Sequence, residues 1–93
     1  MKYVSDYAPR VQKAIDAVVA EAGLKSRAML ARRMDVSRQA VSNWAVTGIV
    51  PTDRAMQMEL ISGGKVSWRR LCPDIVYKFN NATDVFYANS KRY

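Results

Sequence analysis

The chain has 93 residues, about half of them hydrophobic, and carries a net charge of +7. That bounds it to one small domain with a modest core. Its surface favours polyanionic partners: DNA, RNA or an anionic membrane face. There is no histidine and only one cysteine, Cys72, which removes the commonest general base, the commonest metal ligand, a zinc site and any internal disulfide. The acidic residues are scattered singly, and no glycine-rich phosphate loop is present. We therefore expect no enzyme, no cofactor and no metal. No apolar run approaches the roughly 20 residues of a membrane span, and the first residues show no signal-peptide pattern. With a lone cysteine, a cytoplasmic protein is expected.

Val11, Ala14, Ile15, Val18, Val19 and Ala22 recur at helical spacing, which predicts a first helix. Pro9 suits its first turn, Ser5 or Asp6 its cap, and Gly23 its stop. Ser26 is the cap expected for a second helix over Arg27–Met34, with Leu30, Ala31 and Met34 inward. Ser37 caps a third, roughly Arg38–Val46, ended by Gly48. Pro51 and Thr52 open a fourth, about Asp53–Ser62, with Ala55, Met56, Met58, Leu60 and Ile61 as its apolar content and Gly63-Gly64 as its end. Ser67 caps a short fifth, Trp68–Cys72, before Pro73. Helix follows helix through short connections, so residues 1–74 read as an all-α, five-helix domain. Met29, Met34, Met56 and Met58 are expected to fill the core, as are Trp44 and Trp68. Cys72 reads as a small, partly buried apolar residue.

Residues 75–93 read as a separate tail. Ile75, Tyr77 and Phe79 alternate with Val76 and Lys78, which fits a short strand. Tyr77, Phe79, Phe86, Tyr87 and Tyr93 lie beside Lys78, Lys91 and Arg92. Such a tail would stack on single-stranded bases, pack on the body, or pair with a second copy as a dimer strand. Packing or dimerisation is favoured.

The segment "VSRQAVSNWAVTG", residues 36–48, mixes a Trp with side chains that hydrogen-bond to bases. A three-residue turn, Asp35-Val36-Ser37, joins the second and third helices. Val36, Val41 and Trp44 would face inward, since positions three and four apart stack on one face. That leaves Arg38, Gln39, Ser42 and Asn43 outward. The pattern resembles the helix-turn-helix of phage repressors, in which the second helix enters the DNA major groove. That turn usually holds Gly where Asp35 stands; Asp tolerates the left-handed region better than most residues.

The resemblance extends over roughly residues 24–75. Val36-Ser37, Ala40-Val41-Ser42, Trp44, Pro51, Arg54-Ala55, Gly63-Gly64 and Leu71-Cys72-Pro73-Asp74-Ile75 are similar to the Cro-like repressors of phages and prophages. They resemble in particular the subgroup described as YdaS-like Cro or antitoxin-type regulators. The resemblance implies a lambda-repressor-like helix-turn-helix domain that binds double-stranded operator DNA as a homodimer. It implies that Arg38, Gln39, Ser42 and Asn43 read bases, Arg preferring guanine and the amides adenine. It implies phosphate contacts at Arg27 and Ser37, and at Arg32, Arg33, Lys25 and Arg54. The same subgroup allows a second role, an antitoxin whose tail holds a toxin protein.

Overall fold

The computed structural model describes residues 4–76. Over this span the protein is helical, with no strand: α1 Ala8–Glu21, α2 Arg27–Met34, α3 Arg38–Thr47, α4 Thr52–Ile61 and α5 Trp68–Leu71. Residues 73–76 add a sixth helical turn, closed by the Val76 amide donating to the Cys72 carbonyl at 3.1 Å. At Ile75 this settles the choice between strand and helix that the sequence left open, against the possible strand: a proline fixes φ for a first helical turn, and Pro73 opens one here. The aromatic residues of the tail, 77–93, lie outside the described residues.

Local chemistry sets the boundaries. Ser26 Oγ accepts from the Met29 amide at 3.2 Å, and Ser37 Oγ from the Ala40 amide at 3.0 Å. Each satisfies one of the amide groups that a helix start leaves unpaired. α1 starts differently from expectation. Its N-cap position is Tyr7, which makes no side-chain bond. Ser5, buried, works two residues earlier. Its Oγ accepts from the Tyr7 amide at 3.1 Å and donates to Asp74 Oδ2 at 2.6 Å, while its own amide donates to the Thr47 carbonyl at 2.7 Å. Ser5 thus ties the start of α1 to the end of α3 and to the turn at 73–76.

The core is built by Val11, Ala14, Ile15 and Val18 of α1, Leu30, Ala31 and Met34 of α2, Val41 and Ala45 of α3, and Ala55 and Met58 of α4. Val50, Val66, Leu71 and Cys72 close it. Each large aliphatic side chain removed from water contributes about 1.5–3 kcal/mol. Val36, Trp44, Ile61 and Trp68 pack against this core while partly exposed. Two of the four methionines expected inside are not: Met29 is 41% and Met56 47% exposed, and Leu60 is 79% exposed. Met56 follows buried Ala55, and one residue along a helix turns the side chain by about 100°.

α5 is held from both sides of its start. Glu59 Oε1 accepts from the Trp68 amide at 2.8 Å, and Ser67 Oγ accepts from the Arg69 amide at 3.2 Å. Buried Ser62 accepts from the Val66 amide at 3.0 Å and donates to the Glu59 carbonyl at 2.7 Å, so the link between α4 and α5 is pinned.

Candidate nucleic-acid interface

α3 presents two unlike faces because its apolar residues occupy one stripe. Val41 and Ala45 are buried, and Trp44 rests partly exposed on the core. Residues at i, i+3, i+4 and i+7 share a face. Opposite the buried stripe that series is Gln39, Ser42, Asn43 and Val46. Gln39 and Ser42 are exposed, Asn43 is half-buried, and Val46 is 69% exposed. Val46 is the member that the expected site left out. Its signal was available: it stands seven residues after Gln39, two helical turns on the same side.

Gln39 and Asn43 meet. The Gln39 amide Nε2 donates to Asn43 Oδ1 at 3.1 Å, an i to i+4 bond that sets both amides side by side. Thr47 Oγ1 donates to the Asn43 carbonyl at 2.7 Å and finishes the helix. Arg38 sits at the first turn, exposed, and leans toward α2. It lines a crevice of about 400 Å³ with Arg32, Ala28, Met29, Ala31 and Val36. Two cations from two helices therefore converge beside the α3 start.

The turn that sets this angle is Asp35-Val36-Ser37. Asp35 has φ 57° and ψ 45°, the left-handed conformation. Its amide donates to the Arg32 carbonyl at 3.2 Å, and the Val36 amide to the Ala31 carbonyl at 3.0 Å. This is the paired-bond helix ending that usually takes glycine. A non-glycine residue there costs roughly 1–2 kcal/mol, least for Asp or Asn. Ala31, 1% exposed, leaves the room in which α2 and α3 pack.

The other expected phosphate contacts are placed less uniformly. Arg27 is engaged: its Nε donates to Asp16 Oδ1 at 2.8 Å and its terminal nitrogen to Asp16 Oδ2 at 3.0 Å. That hydrogen bonding to the Asp16 carboxylate pushes the guanidinium pKa up from its ordinary value, opposed by burial. Arg54 donates to the Met34 carbonyl at 3.3 Å and to Gln57 Oε1 at 2.9 Å, bracing α4 against the end of α2. Arg33 is exposed but does not line the Arg32–Arg38 crevice, being one residue and about 100° away from Arg32. Lys25 is exposed just before the α2 cap. Ser37 is exposed, with its Oγ already serving as cap. The structure thus groups Arg38, Gln39, Ser42 and Asn43 with Arg32, and adds Val46.

Among the described residues no cluster of three metal-ligating side chains occurs, and no helix is long and apolar enough to cross a membrane. The family model described as bacterial toxin YdaS matches residues 11–79, which run from within α1 through the turn at 73–76. No curated protein and no solved structure gives a significant match.

Proposed function

The chain belongs to the bacterial toxin YdaS family, and from that premise we propose that it regulates transcription by binding double-stranded DNA sequence-specifically. α2, the Asp35 turn and α3 act as a helix-turn-helix. α3 lies in the major groove and the chain occupies a phage or prophage operator as a Cro-like repressor, inside the bacterial cell, with no catalytic step. The single observation that carries this reading is the outward stripe of α3, where Gln39, Ser42 and Asn43 stand together beside Arg38.

The chemistry suits base edges. Gln39 and Asn43 present amides that pair with adenine N6 and N7, Arg38 a fork for guanine O6 and N7, and Val46 an apolar surface for a thymine methyl. The Gln39–Asn43 bond is exchanged for bonds to base on docking. Arg32, Ser37, Arg33 and Lys25 supply backbone contacts. Arg27 and Arg54 are the weaker phosphate ligands, since each guanidinium already serves an internal acceptor. A small domain of this kind gains affinity by placing two copies on two half-sites, so the bound form is a homodimer.

The test is a footprint of the intact protein on the DNA upstream of its own gene, with binding followed at several salt concentrations. A bounded, two-fold symmetric footprint supports the reading. The affinity falls with salt at a slope near −0.9 per phosphate contact. Protection that spreads over any duplex refutes sequence-specific binding.

The family description, bacterial toxin YdaS, associates the chain with toxin–antitoxin components without assigning its side of the pair; the second reading we propose is an antitoxin that binds DNA through its body and a toxin through residues 75–93. Co-purification of the product of a neighbouring gene with the full chain, but not with a chain lacking those residues, would support it.

A further inference from the structure

A second cationic surface lies away from α3. Arg10 and Lys13 of α1 and Arg69 and Arg70 of α5 line, with Pro73, a cleft of about 380 Å³. Among the described residues none of these four cations takes part in a salt bridge; the pairs there are Arg27–Asp16 and Lys65–Glu21. Two of them rest on aromatic rings instead. The Arg10 guanidinium carbon lies 5.6 Å from the Tyr7 ring centre, and that of Arg69 lies 5.3 Å from the Trp68 ring centre. Stacking holds a guanidinium in place without neutralising it. The cleft therefore concentrates four like charges, none of them in an ion pair among the described residues, over a floor of proline and arginine stems.

Its lining shares no residue with the α3 stripe or the Arg32–Arg38 crevice. α1 meets the cleft in its first half, through Arg10 and Lys13, and α2 further along, through Asp16 and Arg27. The lining also argues for a peptide: Pro73 and the stems of Arg10, Lys13, Arg69 and Arg70 offer apolar surface between the charges, which a phosphate backbone leaves unused. A second copy of the chain is a poor occupant of this cleft in the absence of DNA, because it brings another +7 charge. Residues 77–93 are a poor source of counter-charge, with one acid, Asp84, against Lys78, Lys91 and Arg92.

We propose that the α1–α5 cleft is a docking site for an acidic segment of a partner protein, one that offers two or more carboxylates spaced around an apolar side chain. The site is independent of the α3 reading, so either can fail alone. It leaves the protein able to hold a protein partner while α3 engages DNA.

The probe is a fluorescein-labelled synthetic peptide of alternating glutamate and leucine, with a glutamine–leucine peptide as control. Anisotropy is followed on the full chain at near-physiological salt. The acidic peptide binds and the control does not. The double variant Arg10→Ser/Arg70→Ser weakens binding about tenfold, whereas Arg32→Ser/Arg38→Ser, which removes the same charge elsewhere, leaves it unchanged. Arg10→Lys/Arg70→Lys retains part of the affinity, and circular dichroism verifies that all variants fold. No binding of the acidic peptide overturns the proposal, as does equal weakening by both double variants. A loss of random-duplex binding in Arg10→Ser/Arg70→Ser equal to the loss of peptide binding also overturns it, since the cleft then takes nucleic acid.

Discussion

Gly48 closes α3 and meets the first residue of α1, and replacing it by alanine tests how the body is locked. Its φ is +71°, and a Cβ built there would lie 2.5 Å from Ala8 Cα and 2.9 Å from Ala8 N. Those are backbone atoms, so no rotamer change relieves the clash; α1 must move away from the end of α3. The left-handed backbone alone costs an L-residue roughly 1–2 kcal/mol. Forced overpacking adds about 1–3 kcal/mol, for about 2–5 kcal/mol in all. Gly23 is the internal control. Its φ is +69° but nothing lies within 4 Å of its would-be Cβ, so Gly23→Ala carries the backbone cost only. Thermal and urea unfolding by circular dichroism reads the difference. A kcal/mol moves Tm by about 4–8 °C in a domain of this size, so Gly48→Ala melts at least several degrees below Gly23→Ala. Equal shifts for the two variants would refute the reasoning that the α1–α3 contact, rather than backbone conformation, fixes Gly48.

Asp35→Gly relieves a left-handed residue and removes a negative charge from a helix C-terminus; net of glycine's greater unfolded entropy, it raises Tm by a few degrees, and an unchanged or lower Tm would contradict the strain assigned to the turn. Ser5→Ala deletes the 2.6 Å bond to Asp74 and the bond from the Tyr7 amide; hydrogen bonds to charged groups are worth about 1.5–3 kcal/mol, and urea unfolding should register a loss of that order. Burial pushes the Cys72 thiol up from its ordinary value, opposed in part by Thr52. Alkylation at mildly alkaline pH is therefore much slower in the folded protein than in urea. Because the folded thiol titrates above the unfolded one, its contribution to stability is complete below the unfolded pKa and is lost as pH rises through the folded pKa. Unfolding scans should show destabilisation only on the alkaline side, and less of it in Cys72→Ala.

The two helices that frame the α3 face were legible because their signals are local. Ser26 and Ser37 sit where caps are needed, and Asp35 is a residue that tolerates a positive φ, so α2 appears with its expected limits Arg27–Met34 and α3 ends one residue later than expected. The tail was not legible in the same way. A two-residue alternation over Ile75, Tyr77 and Phe79 is too short to separate strand from helix, and Pro73 decided the part that can be described. Apolar character alone could not say that Met29 and Met56 face out, since neither shows its side without the phase of its helix. Arg27 was expected to contact phosphate, and its pairing with Asp16 was not legible, because Asp16 belongs to another helix 11 residues earlier, a distance local patterning does not span. Val46 marks only the expected end of the third helix, while its phase puts it two turns beyond Gln39 on the outward stripe, 69% exposed.

The most direct measurement is the affinity of wild type and Gln39→Ala for the protein's own upstream DNA and for random duplex, in parallel, at two salt concentrations. If α3 reads bases, Gln39→Ala loses about 1–3 kcal/mol on the upstream site and almost nothing on random DNA, and the difference persists at the higher salt. Equal losses on both duplexes, or no preference for the upstream site in the wild type, would contradict base reading by α3 and leave charge alone as the source of binding.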